Sequence, residues 1–427
     1  MLAIQVIREQ AERVIQGLER KYFPNAAEAV AAILALDEQK RQTQKKQDDA
    51  LAASNSLSKQ IGQLMKNGQK AEAEAAKAEA KALSEEAQKH VEELSSLEEQ
   101  LHEALVKLPN LPHHSVPKGR SPEENEEIYQ AGAIPQLSTE ALPHWDLIAR
   151  YDIIDFELGN KITGAGFPVY KGQGARLQRA LVNFFLDEAT KAGYLEVQPP
   201  ILVNKASGYG TGQLPDKDGQ MYYVQEDELY LIPTAEVPIT NIYRDVILEP
   251  KQLPIKMVGY TPCFRREAGN WGAHVRGLNR LHQFDKVEIV QIQHPEHSYQ
   301  SLEEMRLYVQ GLLEKLELPY RVLRLCGGDM SFTSALTYDM EVFSAAQQRW
   351  LEVSSVSNFE SYQANRLKLR YRSEEKKTSL LHTLNGSALA LPRIVAALLE
   401  NNQSVQGIRI PQVLVPYTGF EWMELPA

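Results

Sequence analysis

Between Asn25 and Leu108 the chain has no proline, and glycine occurs there only at Gly62 and Gly68. Ala, Glu, Lys, Gln and Leu fill the stretch, all strong helix formers, so little other than helix is open to it. Pro24 followed by Asn25-Ala-Ala-Glu28 predicts a capping-box start. Leu94, Leu97, Leu101, Leu105 and Leu108 recur at steps of three and four, which predicts a coiled-coil seam. Ile33 and Leu36, then Leu57, Ile61 and Leu64, repeat the pattern on the incoming side around a more polar middle. Asn67-Gly68 is the natural reversal, because glycine tolerates positive φ just past a helix end. Two antiparallel helices of about 40 residues follow, an arm that would project roughly 60 Å at 1.5 Å per residue.

The net charge of −10 disfavours a nucleic-acid partner at first sight. Its distribution tells more. Between Asp49 and Glu72 there is no acidic residue, while Lys59, Lys66 and Lys70 are present, so the region of the turn is locally cationic. Three readings stay open on this feature alone: a solvated helical face, a dimerising coiled coil, and a finger for the phosphate backbone of a folded RNA.

A chain of 427 residues is too long for one ordinary core, so two or more domains are expected. No apolar run reaches the eighteen or so residues of a membrane span, and the N-terminus lacks the features of a signal or transit peptide; the cytoplasm is the expected location. The two cysteines, Cys263 and Cys326, form no CxxC pair, which disfavours a disulfide framework and a cysteine-rich zinc site. Leu2 to Leu18 reads as an apolar-rich helical segment that packs on a domain. Residues 109–150 carry Pro109, Pro112, Pro117, Pro122, Pro135 and Pro143 and read as a linker with little regular structure. Beyond residue 150, helices and strands interleave as in one α/β or α+β domain.

Met257 to Ile292 reads as strand, glycine-containing loop, strand. Side chains alternate along a strand, so Arg265 and Glu267 are expected on one face of the first, and Phe284 and Glu288 on one face of the second. Side by side they would present a cation, two carboxylates and an aromatic ring, a set able to grip a phosphate, an ammonium group and a purine. An Arg265–Glu267 ion pair on a wet sheet is the plainer alternative. Near the C-terminus, Pro392 suits the first turn of a helix running to about Asn401. Arg393 then lies beside that helix N-terminus, where a cation opposes the macrodipole unless an anion is close.

Phe264-Arg265-Arg266-Glu267, the loop after it, and Gly277-Leu-Asn-Arg280-Leu-His-Gln-Phe284 resemble motif 2 of the class II aminoacyl-tRNA synthetases. In detail the wording is similar to that of the bacterial-type seryl-tRNA synthetases. Asn385-Gly-Ser-Ala-Leu-Ala-Leu-Pro-Arg393 through Asn401 resembles that family's motif 3, and Gly193-Tyr-Leu-Glu-Val-Gln-Pro-Pro200 its motif 1, the dimer-forming segment. Gly208-Tyr-Gly-Thr-Gly-Gln-Leu-Pro215, Thr234-Ala-Glu236 and the helical arm extend the resemblance over essentially the whole chain. Two departures, Leu391-Pro392 where Val-Gly is frequent and Gly166 where an arginine is often found, touch no carried-over residue.

The resemblance implies an α+β fold: an antiparallel two-helix arm plus a class II catalytic domain on a mainly antiparallel sheet flanked by helices. The implied domains are a tRNA-binding domain at 1–108 with its arm at about 25–108, a linker and start of the catalytic domain at 109–150, and the catalytic domain at 151–427. It implies an ATP-dependent ligase that activates L-serine as the adenylate and transfers it to serine tRNA; whether selenocysteine tRNA is also charged stays open. By the same resemblance Thr234, Ala235, Glu236, Arg265, Glu288, Asn385 and Ser387 bind serine. Arg265, Arg266, Glu267, Leu281, Phe284, Glu352, Val353, Ser354, Ser355 and Arg393 bind ATP, and Glu352 and Ser355 hold Mg2+. Lys59, Lys66 and Lys70 are the tRNA-contact candidates, and the chain is expected to be a homodimer. Against this stand a ligase loading a protein carrier, which would not need the arm, and a coiled-coil scaffold with a dead enzyme-like domain, which would not need Arg265, Glu267, Glu288 and Arg393 together. HIGH-like and KMSKS-like wording is absent, which disfavours a class I synthetase.

Overall fold

The computed structural model describes residues 1–216, 219–267, 276–373 and 377–425. It divides into two compact units, Met1–Pro109 and Asn110–Ala427. Among the described residues no helix is long and apolar enough to cross a membrane.

The first unit is helical: α1 (Ile4–Glu9), α2 (Ala11–Arg20), α3 (Ala26–Lys66) and α4 (Lys70–Val106). The segment read as one helix from Leu2 to Leu18 is thus broken at Gln10, and it buries Ile7, Val14 and Leu18. Helix α3 starts where expected, but without the predicted capping box. Asn25 sits in the left-handed region at φ 52° and its side chain makes no capping hydrogen bond. The reversal follows the predicted chemistry closely. Gly68 has φ 78°, the Gln69 N–H donates to the Leu64 carbonyl at 3.0 Å and the Gly68 N–H to that of Met65 at 3.3 Å, the two bonds of a Schellman turn.

The seam changes along its length. Toward the base α4 buries Leu94, Leu97, Leu101 and Leu105, and α3 buries Val30 and Ile33. Toward the turn the buried residues are Ala50, Ala73, Ala76, Ala80 and Ala87, while Leu57, Ile61 and Leu64 are only half-buried. Asp37, not its neighbour Leu36, is the buried residue of that turn of α3; Arg8 at 3.1 Å and Arg41 at 3.2 Å neutralise it. A leucine contributes roughly 1.5–3 kcal/mol on burial and each lost methylene removes about 0.8, so the distal seam is held more weakly than the base.

The second unit is built on an eight-stranded sheet: β1 (Glu126–Ala131), β2 (Leu195–Glu196), β3 (Ile255–Phe264), β4 (Gln283–Gln293), β5 (Tyr320–Arg324), β6 (Leu336–Ser344), β7 (Arg349–Asn358) and β8 (His382–Ala390). The spatial order is β1-β5-β6-β7-β8-β4-β3-β2. Among the described residues of this sheet only the β2–β3 pairing, at one edge, is parallel. The proline-rich stretch after residue 109 is more regular than its composition suggests. It supplies the opposite edge strand β1, paired to β5, and the helix α5 (His144–Arg150), because its prolines fall between these elements.

One sheet face is closed by α6 (Gly172–Lys191), α9 (Ser298–Lys315) and α11 (Leu391–Asn401), which bury Leu181, Phe185, Met305, Val309, Ile394 and Leu398 against Val287, Ile289, Met340 and Val353. On the other face α7 (Lys205–Thr211), α8 (Glu236–Asn241) and α10 (Ser361–Leu367) leave a polar floor between them. Gly259 lets α8 settle onto β3: a Cβ there would lie 2.7 Å from Ile239 Cδ1 and 2.8 Å from the Val197 carbonyl.

Candidate active site

Strand register decides which side chains share this floor. Gly259, Thr261 and Cys263 of β3 stand opposite Glu288, Lys286 and Phe284 of β4, so Phe284 and Glu288 do share a face. Ser387 of β8 stands opposite Glu288, and Asn385 lies two residues earlier on the same face. Ser355 of β7 stands opposite Asp339 of β6, and Glu352 opposite Glu341. Glu352 and Ser355 are three residues apart, so a regular strand would point them to opposite faces. A register shift between Met340 and Glu341 brings both to the polar face.

The first strand is shorter than expected. It ends at Phe264, although the Arg265 N–H still donates to the His282 carbonyl at 2.9 Å. The Arg265 guanidinium lies 5.2 Å from the Phe284 ring centroid. Glu267 is no longer in the strand. Its φ is 49°, and its carboxylate pairs with Arg280 rather than sharing a strand face with Arg265. Arg266 is exposed, and its N–H donates to the Gln220 carbonyl at 2.9 Å. The loop residues 268–275, part of the predicted glycine-containing loop, lie outside the described residues.

Two acids meet at the inner end of the floor. Glu236, at the start of α8, and Glu288 are 7% and 1% exposed. Burial, and next the Glu288 carboxylate, push the Glu236 carboxyl up to about 7. Lys286 offsets the pair: its Nζ lies 2.6 Å from Glu288 Oε2, to which Ser387 Oγ also donates at 3.3 Å. Thr234 Oγ1 accepts from the Glu236 N–H at 3.2 Å. One cluster thus holds Arg265 and Lys286, Glu236 and Glu288, and the hydroxyls of Thr234 and Ser387. That arrangement can bind one small molecule carrying an ammonium, a carboxylate and a hydroxyl.

At the other end Arg393 lies in the first turn of α11, where Pro392 helps open the helix. Its Nε donates to the Asn279 carbonyl at 3.0 Å and its Nη1 to the Glu352 carbonyl at 2.7 Å, with Glu352 Oε2 at 3.7 Å. Asp339 brings a further carboxylate. Its Oδ1 is sealed from solvent and accepts no hydrogen bond, while burial and next the Glu352 charge raise it well above the usual carboxylate range. An orphaned buried oxygen beside the Glu352 carboxylate and the Ser355 hydroxyl fits a hard divalent cation.

Some expected residues have side chains engaged elsewhere. Leu281, Val353 and Ala235 are buried in the apolar cores, and Ser354 Oγ is spent on the Ser387 carbonyl at 2.6 Å. Lys59, Lys66 and Lys70 are exposed around the reversal of the first unit. Sequence reasoning passed over Lys286 and Asp339, although two-residue alternation places Lys286 between Phe284 and Glu288 and pairs Asp339 with Glu341. For Gln363, which bonds Glu236 from α10 at 2.7 Å, the sequence holds no signal, since 127 residues separate the two.

Known proteins resemble both units. Residues 1–112 match the family model of the seryl-tRNA synthetase N-terminal domain, and residues 222–402 that of the tRNA synthetase class II core domain (G, H, P, S and T). The chain is 50% identical over 422 residues to a serine–tRNA ligase of Salinibacter ruber, covering 98% of each. It is 47% identical over 421 residues to one of Akkermansia muciniphila, again covering 98% of each. A crystal structure of seryl-tRNA synthetase from Pyrococcus horikoshii complexed with ATP superposes with a TM-score of 0.95 at 32% identity, covering 100% of both chains. A cytoplasmic serine–tRNA ligase from Naegleria fowleri in complex with AMP does so at 0.89 and 25% identity, covering 100% of this chain and 99% of that one.

Proposed function

The chain belongs to the seryl-tRNA synthetase family, and on that premise we propose how its polar sheet face works as a serine–tRNA ligase. The reaction has two steps. ATP and L-serine form seryl-adenylate with release of pyrophosphate, and the seryl group then passes to the 3′ end of serine tRNA. The observation that carries the residue assignment is the clustering of Arg265, Glu236, Glu288, Lys286 and Ser387, with Arg393 and Glu352 paired on the neighbouring strands.

In the first step a serine carboxylate oxygen attacks the α-phosphorus, and the bond to the bridging oxygen of the departing pyrophosphate breaks. The carboxylate is ionised at neutral pH, so no general base is required. The barrier is the approach of two anions, lowered by placement and by cations already fixed in position. Arg265 bridges the α-phosphate and the serine carboxylate, Phe284 stacks on the adenine and Glu267 accepts from its amino group. Arg393 takes the γ-phosphate, which answers the cation otherwise unfavourable at a helix start. Glu352 and Ser355, with Asp339 beside them, would hold Mg2+, which supplies charge neutralisation of the phosphates when bound. In the second step a terminal ribose hydroxyl of the tRNA attacks the adenylate carbonyl and AMP leaves.

Glu236 takes the substrate ammonium, while Glu288 and Ser387, with Thr234 and Asn385, take its hydroxyl. A pocket built to bond a hydroxyl rejects an analogue lacking it by about 10⁴–10⁵-fold, because its own groups go unpaired. Alanine is refused on that ground, and threonine by lack of room for a methyl. The exposed lysines of the hairpin reversal contact tRNA phosphates. Leu195 at the sheet edge and Leu202 nearby are 63% and 41% exposed, which supports a second copy docking at motif 1. Work in the cytoplasm completes the proposal.

Pyrophosphate exchange with each amino acid in turn tests the reading. Exchange that depends on serine and is at least about 10³-fold weaker with alanine or threonine is expected; equal exchange with another amino acid would overturn it.

A further inference from the structure

Helix α10 lies outside every residue assigned a role above, yet its inward side chains hold the serine cluster together. Gln363 is 1% exposed. Its Nε2 donates to Glu236 Oε1 at 2.7 Å and to the Thr211 carbonyl at 3.1 Å, and its Oε1 accepts from Thr383 Oγ1 at 2.7 Å. One amide thereby joins α7, α8 and β8. The Thr211 carbonyl can only accept, so the nitrogen end of the amide faces α7 and α8 and its oxygen end faces β8, where the Thr383 hydroxyl donates to it. One turn further on, Arg366 Nη1 donates to the Tyr209 carbonyl at 3.2 Å and to that of Leu214 at 3.0 Å. The glycine-rich segment 208–215 is therefore fastened along its length by α10.

Resting on the reading of this cluster as the serine pocket, we propose that Gln363 is a positioning residue for serine. Its amide fixes the Glu236 carboxylate across from Glu288 and ties it to the segment 208–215, so serine binding depends on it and ATP binding does not. A brace that merely stabilised the fold would lower both substrates' use together. Glu236 is faced by Glu288 and Lys286 from β4, by Arg265 beyond β3 and by Gln363 from α10. Burial and the Glu288 charge favour its neutral form, and the Gln363 hydrogen bond favours the charged one. Loss of the bond moves the Glu236 carboxyl further up from about 7. At neutral pH less of it is then ionised to receive the ammonium, and more is restored as pH rises.

The test is serine-dependent pyrophosphate exchange by the full-length chain carrying Gln363→Leu, with KM measured separately for serine and ATP across pH. Losing a hydrogen bond to a charged group predicts a rise in KM for serine of roughly 10- to 100-fold. KM for ATP should be unchanged, and the acid limb of kcat/KM for serine should move to higher pH. Thr383→Val, which removes the donor to the amide oxygen and loosens the hold on the side chain, should shift both quantities the same way by a few-fold, and it decides alone if Gln363→Leu does not fold. Exchange by the unsubstituted chain tests the serine reading itself. Given that exchange, an unchanged serine KM in either folded variant, or an equal rise for serine and ATP with the acid limb unmoved, overturns the assignment of Gln363.

Discussion

The helical hairpin and the polar sheet face use charge in opposite ways. Along the hairpin, contacts join residues related by a single turn at Gly68, and the lysines of the reversal, Lys59, Lys66 and Lys70, stand exposed, each a small separate share of the surface. On the sheet face, strand register gathers Phe284, Lys286, Glu288 and Ser387 beside Glu236 and Arg393 from the flanking helices, and Lys286 and Glu288 sit 2.6 Å apart with almost no access to solvent. Exposed charges in high dielectric act weakly and nearly independently, whereas buried ones act strongly and together. A periodic element spreads a task over many residues, and a registered sheet concentrates it in a few.

The sharpest way to break this contrast is to remove the hairpin. A chain reduced to Asn110–Ala427 should keep serine-dependent pyrophosphate exchange and lose charging of tRNA; loss of both in a folded protein, or survival of both, would defeat the division of labour. Next in size is Arg393→Ala. Loss of a preorganised phosphate contact should lower the exchange rate by about 10²–10³-fold with the melting temperature nearly unchanged, and wild-type kinetics would remove Arg393 from the site. The smallest effect should come from Lys59, Lys66 and Lys70 changed together to Ala. Three fewer phosphate contacts flatten the salt dependence of tRNA binding by about two to three in the log–log slope, and an unaltered slope would place the contact elsewhere.

The two regions also differed in how far they could be read from sequence. The hairpin was legible down to its reversal, because periodicity and a glycine after a helix end are local rules. Its start was not, since Asn25 adopts a left-handed conformation that composition does not announce. On the sheet, alternation correctly paired Phe284 with Glu288. It failed for Glu267, which turns away just past the strand end, and it could not explain how Glu352 and Ser355 share a face, because the bulge depends on the neighbouring strand. Gln363 owes its place to packing over a separation of 127 residues, which no window of sequence encloses.

The thinning of the hairpin seam from leucines to alanines makes the arm a graded spring. With less apolar surface clasped near the reversal, that half can bow or part under load for less free energy than the base, which stays the stiff end of the lever. Amide hydrogens should accordingly exchange fastest near Ala73 and Ala76 and slowest near Leu101. A tRNA drawing on the reversal would then spend its force bending the distal half, leaving the leucine-packed root undisturbed.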